Sequence, residues 1–279
     1  MTGLSPSGGG VDAVERRGRK IMSLAGRALF VLALAALLSG CACLAKAPPL
    51  APGFPAADAL IAAVEKANAA VTDARGLGRF RLENARGVLS GRAAWLSVPP
   101  ARLRIELLSP FGQPVATLAG DGETVALRSF ADGSYNSGAP DGSLVTALLG
   151  MKVPWEALCP ALSFQAPVLS HGRAEVREWR ESPSAPPKGW ELVLSRCVFG
   201  TREIIRFDAG SLAVREASFF SAFGKPLATV IFEGGPAEGG SVLIRSDAKE
   251  AASLELWPER FFTNRGWEPS SFALARPSK

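Results

Sequence analysis

Histidine is almost missing from this sequence: 279 residues contain one, His171. A lone imidazole excludes the multi-histidine metal clusters of zinc enzymes, and no H-E-x-x-H or C-x-x-C is present to replace them. There is no G-x-S-x-G either, so no serine nucleophile comes with a sequence frame. His171 lies in VLSHGRAEV, a loop before a strand, and reads as a solvated turn residue. The runs GLGRF and SGGG lack the strand-and-helix frame of a phosphate loop. Carboxylates are scattered on strands in alternation with basic residues, as on solvated faces. Glu106, between Ile105 and Leu107, reads as one of these. The expectation is a protein with no catalytic residues, no metal site and no cofactor, rather than an enzyme.

A long hydrophobic run is also lacking. Residues 28–38 form an apolar stretch of 11, too short for a bilayer, which takes about 20 residues. Arg27 precedes it, and Leu38-Ser39-Gly40-Cys41 follows. This order reads as a secretory signal over 1–40 and resembles a bacterial lipobox. The resemblance implies cleavage before Cys41 and a diacylglycerol on its sulfur, with acylation that includes palmitate-like chains. Residues 1–21 carry no apolar run, so Met22 is a candidate for the true start. Ala42 after the cysteine is not Asp, which in a Gram-negative cell favours the outer membrane. Residues 41–55, ending in AKAPPLAPGFP, read as a lipidated Pro/Ala-rich tether.

The net charge of +5 owes much to this leader, because residues 1–40 alone carry +3. The remainder is nearly balanced and shows no nucleic-acid footprint. Three cysteines remain after Cys41: Cys43, Cys159 and Cys197. An exported compartment permits a disulfide, for which Cys159 and Cys197 are the candidates; a buried thiol at Cys159 is the alternative.

Residues 56–73 have helical apolar spacing through Leu60, Ile61 and Val64. The period then falls to two. GRFRLEN, GVLSGRAAWLSV, RLRIELL, PVATLAG, ETVALRS and GSYNSG follow one another with Gly- and Asp-rich turns between them, as successive hairpins do. Two short helices interrupt at 141–163, capped near Asp141 or Ser143, broken at Gly150 and restarted by Pro154. Strands resume at about 173–180, 189–198, 202–208, 212–221, 226–233, 240–246 and 252–257, with a Pro-rich loop at 181–189 and an irregular tail from 263. The fold class is mainly β with a few helices: an antiparallel curled sheet or open half-barrel of about 11 strands. A helical lid over an apolar cavity accounts for strands that are apolar on both faces, such as 226–233. A closed barrel with an ordinary core is the alternative.

Two stretches carry a family resemblance. RLRIELLSPFGQPVATLAGDGETVAL and LLGMKVPWEAL are similar to the central hairpin and to the helix–Gly–x–x–Val–Pro segment of the LolB family, the lipoprotein-insertion receptors. The resemblance covers roughly 75–260 and makes 56–262 a LolB-like domain with a tail at 263–279. It implies an outer-membrane lipoprotein, anchored at Cys41 and facing the periplasm, that accepts acylated lipoproteins from a LolA-like periplasmic carrier. It implies insertion of that cargo into the outer membrane, so the partners are membrane lipids, cargo and carrier, and the protein works as a monomer. The family's exposed apolar loop residue falls on Phe111, between Pro110 and Gly112; the family commonly has leucine there. Candidate cavity residues are Phe80, Trp95, Leu103, Ile105, Leu107, Leu148 and Met151. A lipid- or glycolipid-binding envelope lipoprotein of the same fold is the second reading. The 181–189 loop, the tail and a second FG turn have no placed counterpart. That turn, FGKPLATV, repeats FGQPVATL at a distance of 112 residues.

Overall fold

The computed structural model describes residues 54–196, 201–246 and 251–274. The expected signal segment, the candidate start Met22, the lipidation residue Cys41 and nearly all of the tether lie outside the described residues, as does Cys197.

Helix α1 (Ala57–Ala69) comes first. Six strands follow: β1 (Ala74–Asn84), β2 (Gly87–Val98), β3 (Arg102–Leu108), β4 (Pro114–Gly120), β5 (Val125–Ser129) and β6 (Tyr135–Gly138). Helices α2 (Ser143–Leu149) and α3 (Trp155–Ala161) interrupt the strands. Seven more follow: β7 (Arg173–Trp179), β8 (Gly189–Ser195), β9 (Arg202–Asp208), β10 (Val214–Phe220), β11 (Pro226–Glu233), β12 (Ser241–Ser246) and β13 (Ala252–Thr263). A 3-10 turn (Pro269–Phe272) lies in the tail.

All 13 strands form one antiparallel sheet in the order β6-β5-β4-β3-β2-β1-β13-β12-β11-β10-β9-β8-β7. It is open: β6 and β7 are its two edges. The closed-barrel alternative is therefore wrong, and the count exceeds the expected 11. Both edges are protected against further pairing. β6 is only four residues long, and β7 alternates Arg173, Glu175 and Arg177 along its length.

Each hairpin turns the chain back beside itself, so β1–β6 spread outwards one by one. The helices then carry the chain to the far edge, and β7–β13 return strand by strand until β13 pairs with β1. Strand βn of the first run and β(n+7) of the second are thus six sheet positions apart. The sequence echo has this spatial form: β3–β4 repeats as β10–β11.

The period-two pattern sets the faces. Phe80 and Leu82 on β1, Trp95 on β2, and Leu103, Ile105 and Leu107 on β3 share one face and are buried. Across β13 the same face continues through Leu254 and Leu256, Val242 and Ile244, Val230 and Phe232, Ala217 and Phe219, then Ile205 and Phe207. This is the concave side, and α3 packs onto it. Gly76 allows that packing, since a Cβ there would fall 2.0 Å from the Trp95 ring.

The other face carries most of the charge, with Val193, Ile204, Ile231 and Leu243 also on it, and the tail covers part of it. Asp73 holds that tail: its carboxylate accepts the Arg265 and Gly266 amides at 2.9 and 3.1 Å and the Trp267 indole N–H at 2.9 Å. Burial alone would raise the Asp73 carboxyl, but these donors and the Thr72 hydroxyl outweigh it and hold it below its ordinary value. Phe272 is buried beyond, and Arg104 donates to the Ser271 carbonyl at 3.2 Å. The tail expected to be irregular is thus a strap on the convex face. β13 also runs past Pro258 to Thr263, six residues beyond the expected end at 257, because a register shift at Leu77/Gly78 accommodates the proline.

Candidate functional site

Two places matter: the concave face with its helical cover, and one rim of the sheet.

On the concave face α3 is embedded rather than resting. Trp155, Ala157, Leu158, Cys159 and Ala161 are all buried. The Trp155 indole donates to the Ala101 carbonyl at 2.7 Å, and Trp95 donates to the Leu162 carbonyl at 2.9 Å. Ser97 donates to the Cys159 carbonyl at 2.6 Å. These bonds tie both ends of the helix to β2 and to the β2–β3 turn.

Phe80, Trp95, Leu103, Ile105, Leu107 and Met151 all sit in this core, and Leu148 packs half-buried against it. The strand residues face the helical cover, of which Leu148 and Met151 are part, and all lie in one continuous apolar core. An acyl chain entering among Trp95, Leu103 and Ile105 would have to displace α3 or the segment after it. Phe164 in that segment stacks edge-on against Phe261, 5.4 Å between ring centroids, and borders Phe232.

Of the candidate Cys159–Cys197 pair, Cys197 lies outside the described residues. Cys159 carries a free thiol, enclosed between α3 and β2–β3, where its S–H donates to the Arg102 carbonyl at 3.2 Å. Burial pushes that thiol up to about 12, so it is inert as a nucleophile. His171 is exposed in its loop, with a ring nitrogen 2.9 Å from the Leu169 carbonyl. Glu106 is half-buried on the convex face and pairs with Arg104 at 2.6 Å.

One concave residue was missed. Glu203 is fully buried, facing the same interior as Ile205 and Phe207. One oxygen accepts the Leu169 amide at 2.9 Å; the other has no hydrogen-bond partner among the described residues. Burial pushes its carboxyl up to about 8, against the pull of that one donor. The signal was readable: in REIIRFD, Glu203 is in phase with Ile205 and Phe207, not with the two arginines.

The rim is set by strand direction. β1, β3, β5, β8, β10 and β12 all run the same way, since neighbours alternate throughout the sheet. The hairpins that follow them therefore share one rim. Phe111 stands at the β3–β4 tip, 92% exposed. The Ser109 amide donates to the Gln113 carbonyl at 2.8 Å, and the Gly112 amide donates back to Ser109 at 2.9 Å. Gly112 has φ +81°, a conformation that side-chain-bearing residues rarely adopt. Pro110, Phe111 and Gly112 form a closed turn that holds the ring off the sheet.

The chain matches the family model described as outer membrane lipoprotein LolB over residues 75–180, from β1 to the end of β7. No curated protein matches the sequence. Among solved structures it is similar to a LolA superfamily protein from Nitrosomonas europaea, with 13% identity over 79% of this chain and 99% of that one, at a TM-score of 0.48. It is also similar to a DUF1329 family protein from Desulfovibrio piger, with 8% identity over 78% of this chain and 95% of that one, at a TM-score of 0.50. At such identity the second likeness is one of fold alone.

Proposed function

We propose that this LolB-like chain receives acylated lipoproteins from a periplasmic carrier and inserts them into the outer membrane, to which it is anchored through Cys41. The observation that carries the reading is Phe111. It is a fully presented aromatic on a rigid turn, inside the matched residues and on the open sheet's rim. Water-facing aromatics of this kind gain on entering hydrocarbon, by roughly 1.5–3 kcal/mol for one side chain. That is small beside a two- or three-chain lipid anchor, so the tip orients the sheet or loosens lipid packing locally rather than holding the protein down.

No bond is made or broken in such a transfer. The chain has to offer acyl groups an apolar surface that is better than the carrier's and worse than the bilayer's. The concave face supplies that surface, and the α3 cover must yield for acyl chains to reach it. Because α3 is embedded in the core, its displacement has to be driven by the incoming cargo or its carrier.

Depletion of the protein, followed by fractionation of other lipoproteins, tests the proposal. Their accumulation in the periplasm or inner membrane is the expected result. Unchanged lipoprotein sorting with a glycolipid defect instead would favour the second reading, a carrier of free lipid.

A further inference from the structure

The sequence echo at Phe223 is a second tip of the same construction. In β10–β11 the Ser221 amide donates to the Lys225 carbonyl at 2.8 Å, and the Gly224 amide donates back to Ser221 at 2.9 Å. These are the bonds of the first turn, residue for residue. The Ser221 hydroxyl accepts the Lys225 amide at 3.1 Å, as the Ser109 hydroxyl accepts that of Gln113 at 3.2 Å. Gly224 has φ +72°, and both strands carry a register shift one residue before the turn, at Leu107/Leu108 and Phe219/Phe220. Phe223 is 82% exposed.

Both tips lie on one rim, because β3 and β10 are six positions apart and so run in the same direction. At about 4.8 Å per strand the tips are separated by up to about 29 Å along the curved sheet. The two rings stand on separate hairpins of the same rim, so one plane can meet both. The rim between and around them suits an anionic, hydrocarbon-backed surface. Leu89 and Phe130 are exposed there, and among the described residues the turns of this rim carry Arg86, Arg196 and Lys225 against one acid, Asp132. On the opposite rim the turns carry Asp121 and Glu123 after β4, Arg180, Glu181 and Lys188 between β7 and β8, and Glu238 after β11, with Asp208 ending β9.

We propose that Phe111 and Phe223 dip together into the lipid surface, as a two-point contact that sets the angle of the open sheet to the membrane. The occupant is a bilayer bearing anionic headgroups. The proposal rests on the proposed function only in placing the protein at a membrane. Phe223 lies outside the residues matched by the family model, so its role does not come with that match.

The test uses the lipidated full chain reconstituted in phosphatidylethanolamine–phosphatidylglycerol vesicles with brominated acyl chains. Phe111→Trp and Phe223→Trp are made separately, and quenching of each added indole is measured above that of the parent. Both added indoles are expected to be quenched, and Phe223→Asp is expected to reduce the quenching of the indole at 111. Circular dichroism confirms that each variant is folded. Quenching at 111 without quenching at 223 overturns the two-point contact and leaves the proposed function standing. Quenching at neither position overturns both. An indole at 223 that stays unquenched in vesicles, but shifts when loaded carrier is added, assigns that tip to a protein partner and also overturns the proposal.

Discussion

The buried carboxyl of Glu203 should make this protein lose stability as pH rises through neutrality. Its folded pKa is about 8, against an ordinary value of 4.5, so between those values the folded state holds a proton that the unfolded state has released. Stability is then full below about pH 4.5, falls as pH rises towards 8 and levels off above it. At 1.36 kcal/mol per unit, the loss between pH 4.5 and 7 amounts to about 3 kcal/mol. Asp73, Asp121 and Asp208 are lowered, so their contributions are lost only at acid pH and leave this window flat. Glu255 is raised by burial and by Glu233 beside it, but it is common to parent and variant and cancels between them. Glu203→Gln keeps the shape and an acceptor for the Leu169 amide while removing the titration. Urea unfolding in non-ionic detergent, followed by tryptophan fluorescence at intervals from pH 5 to 9, should show a falling parent curve and a flatter variant. The variant should become the more stable protein at the alkaline end. Parallel curves would refute the assignment of the slope to Glu203.

Three further outcomes follow from other residues. Phe111→Asp should leave stability within about 0.5 kcal/mol, as an exposed surface change does, while impairing lipoprotein delivery in a depletion strain; normal delivery would remove the tip from the mechanism. Asp73→Ala should cost about 1–3 kcal/mol and expose the tail from Asn264 to proteolysis, because three donors lose their acceptor; a tail as resistant as the parent's would show that Phe272 alone holds it. Trp155→Ala should cost about 3–5 kcal/mol, with faster uptake of an acyl-chain dye, since it unseats α3 from the concave face. Slower uptake would mean that Trp155 is part of the binding surface rather than of its cover.

Much of the sheet was legible because half-buried strands alternate. The alternation in RLRIELL is enough to assign Leu103, Ile105 and Leu107 to one face, and Gly- and Asp-rich turns mark where each hairpin closes. Concavity was not legible, since alternation gives two faces and no curvature. The β1–β13 pairing that joins the two runs was not legible either, because it links residues far apart in the chain. β13 was cut short at Pro258, where proline usually ends pairing; only the bulge at Glu259, opposite Leu77 and Gly78 of β1, explains its continuation. At the candidate site, the turn glycine and flanking prolines announced a presented Phe111. The echo FGKPLATV was legible only as a repeat without a placed counterpart, and solvent exposure shows that its ring is presented too. Glu203 was passed over because strand carboxylates usually face water, although its phase with Ile205 and Phe207 pointed inward.

The central claim is delivery, and reconstitution tests it most directly. Vesicles bearing the lipidated chain are incubated with a periplasmic carrier loaded with an acylated lipoprotein, and the cargo that floats with the vesicles is measured. The account predicts cargo transfer that depends on the anchored chain and falls when Phe111 is replaced by Asp. Cargo that stays with the carrier at the level of bare vesicles would contradict it.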